Sequence, residues 1–439
     1  MSETLIENGL TKEALPSPQG EAGWTRALRN EALGLFDALP IPSQDTEEWR
    51  YTDLSDLRLE TFLPFAPGQV SDTLDGIAEH VQAAMGEIGE RAGLLVQHNS
   101  ETATVHLAPE EAERGVIFMG LDRALAEHPD ILEKRLHGLV PAERTKFTAL
   151  HAAFRTGGVF VYVPAGVKVE LPIQSLVYVD TEGIAVFPHT VIVAEQAADV
   201  TLIERFVSRP LERALSNAVA EIYIGPGARV RYISLQDWGE GMTHISVQRA
   251  SLERDAELRS LAVAFGGSLS RTEVESVLSA PGGHSEMLGV YFTDGSQHFD
   301  HRSLQDHVAP ECGSEVLYKG ALKGHSRAVY SGWVHVRKDA QKTNAFQTNR
   351  NIVLSEEAKA DSIPNLEIEA NDVRCGHAAS VGPVDEDVRF YLQSRGIPAD
   401  EAERLIVTGF FQEVLDRVGL DEVREGLEQA IVAELERSD

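Results

Sequence analysis

The sequence predicts a mainly β protein: a solenoid of stacked strands with helices at both ends. Two observations carry this. Between Gly157 and Gly382, short strand-forming stretches succeed one another, each bounded by Gly, Pro, Ala or Asp, with little helical periodicity. Within them a weak motif recurs: a turn-like pair, then a small, a polar and an aliphatic residue. It reads Ala198-Asp199-Val200, Ala228-Arg229-Val230, Ala256-Glu257-Leu258, Ser285-Glu286-Met287 and Ser314-Glu315-Val316, at intervals of 28 to 30 residues. Further on, Ala328-Val329 and Lys342-Thr343 read as a tightening to half that interval. The small residue turns a corner and the aliphatic one points inward. A coil so built cannot bury its apolar face alone and needs a neighbour above and below.

Three domains are expected: a helix-rich region over 1–156, the solenoid core over 157–384 and a helical domain over 385–439. In the first, Leu28, Ala32, Leu35, Phe36 and Leu39 recur at helical spacing, and Pro40 and Pro42 stop that helix. Further amphipathic segments run from about Asp72 to Arg91, Leu121 to Leu136 and Pro141 to Phe154, with a strand-like piece from Gly93 to Leu107. Solenoid strands are predicted at Val159–Val163, Ser175–Val179, His189–Val193, Val200–Phe206, Ala220–Ile224 and Arg229–Leu235. In the tail, Val388, Tyr391 and Leu392 share a face. Pro398 opens a helix with Ala402, Leu405, Ile406, Gly409, Phe410, Val414 and Leu415 along one side. A last helix, Leu420 to Glu436, buries Val423, Leu427, Ile431 and Leu435.

The formal net charge is −30, which repels phosphate backbones and anionic lipid; neither nucleic acid nor a membrane is an expected partner. Residues 1–19 are acidic and lack the basic and apolar regions of a signal peptide, and no apolar run is long enough to cross a bilayer. Cys312 and Cys375 are the only cysteines, so a disulfide-stapled secreted scaffold is not expected and a cytoplasmic location is.

Absent motifs narrow the chemistry. There is no G-x-x-x-x-G-K-[ST] phosphate loop, no Gly-rich dinucleotide fingerprint, no G-x-S-x-G elbow, no H-E-x-x-H helix and no C-x-x-C pair. The sharpest local signal is Asp372-Val373-Arg374-Cys375-Gly376-His377. On a strand, Cys375 and His377 project to one face, and thiolate with imidazole suits iron, zinc or copper. Arg374 beside the thiol is expected to favour the thiolate. Two ligands are too few for a tight site, so a metal would need further ligands from a partner chain or a small molecule; the competing reading is a partly buried Cys with a hydrogen-bonded His. His298, His301 and His307, with Asp300 and Asp306, form a weaker candidate cluster, and the reading favoured over a metal site is a polar corner of the stack with the imidazoles bonded to backbone carbonyls. Cys312, in Pro310-Glu311-Cys312-Gly313-Ser314, sits in a turn where a thiol can carry sulfur or simply pack. Glu47-Glu48-Trp49-Arg50-Tyr51 reads as a docking or packing corner.

Several blocks together resemble one family. Ala340-Gln341-Lys342-Thr343-Asn344-Ala345-Phe346-Gln347-Thr348-Asn349-Arg350-Asn351 is followed by Pro364-Asn365-Leu366-Glu367-Ile368, by Asp372 to Gly382, and by Phe390-Tyr391-Leu392-Gln393-Ser394-Arg395-Gly396-Ile397. With Glu47 to Thr52 near the start, their order and spacing resemble the SufB/SufD family of iron–sulfur cluster assembly scaffold proteins over about residues 20 to 420. The Cys-x-His block and short N-terminal region are closer to the SufD branch than to the SufB branch. Gly376 stands where Ser is common and Ala378 where Gly is common; both leave the ligand candidates intact.

The resemblance implies a right-handed parallel β-helix flanked by helical domains, and a non-catalytic scaffold of the SUF system. It implies a SufB partner joined through edge strands near the end of the solenoid, and a SufC ATPase docked on the C-terminal helices, with Phe390, Tyr391, Arg395, Phe410 and Phe411 as docking candidates. It places Cys375 and His377 at that junction, where a nascent cluster or its iron is held transiently, with no tightly bound cofactor. A homodimer is open for the chain alone. Two other readings remain at this point: a β-helix enzyme acting on polysaccharide through carboxylates, and the SufB paralogue itself.

Overall fold

The computed structural model describes residues 9–16, 21–71, 73, 76–84 and 90–437. The solenoid consists of two facing sheets, and each coil lays one strand in each. The first sheet runs Glu101–Leu107, Gly93–His98, Ile173–Val179, Asp199–Ser208, Arg229–Asp237, Glu257–Ala264, His284–Thr293, Gly313–Leu322, Asn344–Val353 and Arg374–Pro383. The second runs Ile117–Gly120, Gly158–Val163, His189–Ala194, Ala214–Ile224, Met242–Leu252, Leu269–Leu278, His298–His307, Arg327–Val336 and Lys359–Ile368, with Ala185–Val186 beside Ala214–Ile224. Successive coils pair in parallel, as a solenoid requires.

The two-strand coil corrects the expected tightening. Ala328 belongs to the second sheet and Thr343 to the corner leading into the first, so the half interval separates the two faces of one coil. The corner column is also corrected. Backbone hydrogen bonds link Ala198 to Arg229, Ala228 to Glu257, Ala256 to His284, Gly283 to Gly313, Cys312 to Asn344 and Thr343 to Arg374. The small corner residues are therefore Ala198, Ala228, Ala256, Gly283, Cys312 and Thr343, and Ser285 and Ser314 lie two positions further along. A slip of two keeps a side chain on the same face of a strand, which is why the sequence pattern tolerates it. Each corner residue follows one with positive φ: Ala197, Gly227, Asp255, Gly282, Glu311 and Lys342. Four of these six are not glycine, a conformation costing about 1–3 kcal/mol each. Hydrogen bonds between stacked corners hold it, such as Ala197 N–H to the Pro226 carbonyl at 2.9 Å and Asp255 N–H to Pro281 at 3.0 Å.

The two ends of the stack differ. At the N-terminal end the antiparallel hairpin Gly93–His98/Glu101–Leu107 ends the first sheet and antiparallel Ile117–Gly120 ends the second. Strands from before residue 157 thus extend both sheets of the solenoid. Gly23–Ala38 and Lys146–Phe154 pack on one flank, where Phe36, Phe147, Leu150 and Phe154 meet Phe187, Leu215 and Ile245. The expected helix from Leu121 breaks at His128 into Leu121–Glu127 and Pro129–Leu132, since Pro129 cannot continue it. Of the segment Asp72 to Arg91, Glu79–Ala84 is helical; residues 72, 74, 75 and 85–89 lie outside the described residues.

At the other end the chain leaves the solenoid into three helices, Glu386–Ser394, Ala399–Leu415 and Asp421–Arg437. The last two fold back over the outer face of the first sheet, burying Val407, Phe411, Val414, Leu415, Leu427 and Ile431 among Ile203, Ile233, Leu261, Leu288 and Leu317. The inward stripe of Ala399–Leu415 is Ala402, Val407, Phe411, Val414 and Leu415, while Leu405 is exposed. The stripe predicted through Leu405, Gly409 and Phe410 is rotated from this, because a helix with apolar residues on more than one side does not reveal which side meets the sheet.

Candidate functional site at the open end of the solenoid

Lys359–Ile368 and Arg374–Pro383 are the last strands of their sheets, and among the described residues neither is paired on its outer side. Burial fades there: the preceding strands are largely buried, whereas every residue of these two is half-buried or exposed. An unpaired edge with free N–H and C=O groups is a template for pairing with another chain.

Cys375 and His377 lie on Arg374–Pro383. Cys375 tops a column of direct partners, Val200, Val230, Leu258, Ser285, Ser314 and Ala345. His377 tops the parallel column ending in Met287, Val316 and Gln347. Both columns are interior ones; their members Leu258, Val316, Ala345 and Gln347 are buried. Cys375 and His377 thus stand one coil beyond the closed interior. Cys375 is half-buried against Val334, Val336 and Ala340, and His377 is exposed. Burial pushes the Cys375 thiol above its ordinary value. The expected help from Arg374 is not found, because adjacent residues on a strand point to opposite faces. Trp333, Phe346, Ile368 and Val381 add exposed apolar side chains to these last coils.

Sequence reasoning missed a neighbouring group. His335 stands directly opposite Glu367 on the terminal strand of the second sheet, and with Glu369 they offer three donor atoms within 4.8 Å of one another. An imidazole and two carboxylates can hold a divalent cation. The pairing joins residues more than thirty positions apart, which only the register reveals.

The weaker candidates fall elsewhere. Cys312 is a corner residue whose thiol faces the Ala280 and Pro310 carbonyls at 3.4 and 3.5 Å; burial pushes its pKa up. His301 is buried and stacked on Tyr291 at 4.5 Å, and His307 bonds the Ser314 hydroxyl at 2.8 Å. Burial pushes both imidazoles down to about 4. His298 contacts Thr52 at 3.3 Å. Asp300 is taken by Arg271, which also donates to the Glu48 carbonyl at 2.9 Å and lies 3.8 Å over the Trp49 ring. The three histidines do not converge: none belongs to a group of three close donors among the described residues. Asp300 instead fastens the Glu47–Thr52 box to the solenoid.

Of the docking candidates, Phe390 (71% exposed) and Tyr391 (56%) project from Glu386–Ser394, a helix that buries none of its residues. Arg395 stacks on Tyr391 at 5.2 Å. Phe410 is partly covered, with Lys319 Nζ over its ring and bonded to its carbonyl at 2.7 Å. Phe411 is wholly buried and so offers nothing to a partner; it seats the helix on the sheet.

Comparison with known proteins gives two consecutive matches. The profile of the SUF system FeS cluster assembly SufBD core domain covers residues 177–410, and that of the SufBD protein N-terminal region covers 18–175. The chain belongs to the SufBD family. It is 31% identical to the iron–sulfur cluster assembly protein SufD of Bacillus subtilis, over 95% of this chain and 94% of that one. It is 33% identical to a SufBD family iron–sulfur cluster assembly protein of Mycobacterium tuberculosis over 91% of each, and 28% to one of Staphylococcus aureus over 92% and 89%. The open end of the solenoid, up to the second C-terminal helix, lies inside the SufBD core match. No helix among the described residues is long and apolar enough to cross a membrane.

Proposed function

We propose that this SufBD family protein is the SufD-type scaffold subunit of a SUF assembly complex, pairing with SufB through the open end of its solenoid. The observation that carries this is the asymmetry of the stack: the edge strands at the N-terminal end keep buried residues, while the last two strands, unpaired on their outer side among the described residues, keep none, and one of them bears Cys375 and His377. Edge-to-edge addition satisfies the free main-chain groups. Cys375 and His377 then supply part of a ligand set for iron or a nascent cluster as cargo, and SufB supplies the rest. The imidazole of His335 and the carboxylates of Glu367 and Glu369 lie on the same coils and favour iron admission there. The chain carries no phosphate loop, so ATP hydrolysis belongs to SufC, docked on Phe390 and Tyr391 of the uncovered helix. Cytoplasmic residence follows from that role.

The test is co-purification of the tagged chain with SufB and SufC. His377→Ala should assemble normally and mature clusters poorly. Failure to assemble would make His377 structural, and a chain that recruits neither partner would end the proposal.

A further inference from the structure

A buried constellation at the junction of the N-terminal region and the solenoid takes no part in the open end. His137 lies in the connection after Pro129–Leu132, at φ 60, and His151 on Lys146–Phe154. His189 opens one strand of the second sheet and Glu221 lies on its neighbour. His151, His189 and Glu221 are wholly buried.

Hydrogen bonds fix where the protons are. His151 Nδ1 is 2.8 Å from the Asn217 carbonyl and must donate to it. The ring is wholly buried with no carboxylate bonded to it, so it is neutral and its Nε2 carries a lone pair. That nitrogen is 3.1 Å from His189 Nδ1, which must therefore donate. His189 then turns its own Nε2 lone pair toward Glu221 Oε2, 3.0 Å away. Glu221 is also an acceptor, of backbone N–H groups from His137 at 2.7 Å, Leu139 at 2.6 Å and Val140 at 2.9 Å. Two lone pairs facing one another in a buried site require a positive charge between them.

We propose that His137, His189 and Glu221 bind one divalent transition-metal ion, zinc or ferrous iron in type, which locks the N-terminal region onto the solenoid. Donor atoms of these three residues lie within 4.8 Å of one another, and two imidazoles with one carboxylate suit such ions. A metal-binding imidazole characteristically donates its other N–H to a fixed acceptor, which His151 provides for His189. Bonds of about 2.0–2.1 Å require the donors to draw closer. The nearby Arg155 cation is neutralised by Asp122 at 2.7 Å.

Without the ion, the hydrogen bond between His189 Nε2 and Glu221 Oε2 holds one proton in the slot. Loading replaces that proton by the metal and releases it. The group His80, His98 and Asp180 does not share this logic. There His98 Nδ1 accepts the Gln69 N–H at 3.0 Å, so its proton sits on Nε2, facing Asp180, and no lone pair is left for a metal.

The test uses the full chain carrying His335→Ala, Cys375→Ser and His377→Ala, which removes the open-end ligands and keeps this result separate from the scaffold reading. The chelator-treated protein is titrated with Co²⁺ and followed by visible absorption and proton release. A saturable band that Zn²⁺ displaces is expected. His137→Asn, which tolerates the left-handed backbone, should abolish the band without changing the metal-free melt, and His151→Ala should weaken binding about 10–100-fold. No saturable band, or one that survives both His137→Asn and Glu221→Gln, would overturn the proposal.

Discussion

Thr52 donates a 2.7 Å hydrogen bond to Asp300, a carboxylate buried in the second sheet and ion-paired with Arg271. Burial alone would raise the Asp300 pKa, but Arg271, Arg302, the Thr52 hydroxyl and His298 hold it below the ordinary value. A depressed carboxylate pKa contributes stability that is present above the unfolded value of about 3.9 and lost as pH falls through the folded value. Asp300→Asn should therefore lower the urea-unfolding free energy by about 1–3 kcal/mol at neutral pH, since it removes one of the two carboxylates paired with buried Arg271. The gap between variant and parent should narrow below about pH 4.

The two thiols should differ in reactivity. Cys375 is half-buried at an open edge and Cys312 is buried in a corner. A thiol reagent should modify one cysteine in the native chain and the second only after unfolding. Because burial raises the Cys375 pKa, its rate should climb as pH rises toward the alkaline range. Modification of both thiols at equal rates in the native chain would contradict this placement.

Phe411 and Phe390 separate folding from docking. Phe411→Ala removes a buried ring from the interface of helix and sheet and should cost about 3–5 kcal/mol in denaturant unfolding. Phe390→Ala, on an uncovered helix, should change stability by less than about 0.5 kcal/mol while weakening SufC capture. Deleting residues 385–439 is the poorer experiment, since it would expose the apolar outer face of the first sheet.

Ala379→Pro tests the edge. The Arg374 N–H bonds inward to the Thr343 carbonyl; by strand alternation the Ala379 N–H points outward. Proline there removes a donor that the chain itself does not use. SufB capture should fall while the thermal midpoint shifts by a few degrees at most; unchanged capture would count against edge pairing.

Much of the fold was legible because it repeats. The corner motif at Ala198, Ala228 and Ala256 located three coils correctly, since a small residue is needed wherever the chain reverses over its neighbour. It slipped by two at Ser285 and Ser314, where Gly283 and Cys312 turn the corner instead, because alternation along a strand is blind to a shift of two. The final helix was placed correctly through Leu427, Ile431 and Leu435, whose period matches a single apolar stripe. Its predecessor was placed correctly from Pro398, with Ala402, Val414 and Leu415 buried as expected, but its stripe was misassigned at Leu405 and Phe410, which mimic an apolar stripe on another face.

The sequence by itself determined that strands would stack into coils, that helices would close the chain and that Cys375 and His377 would share a strand face. These are local properties, set by side-chain period and turn chemistry. Only the tertiary structure decided that this strand is the last of its sheet, that His335 meets Glu367, and that His137, His151, His189 and Glu221 converge. Those relationships depend on register between coils and on packing across the N-terminal junction, which join residues far apart in the chain and leave no mark on local periodicity.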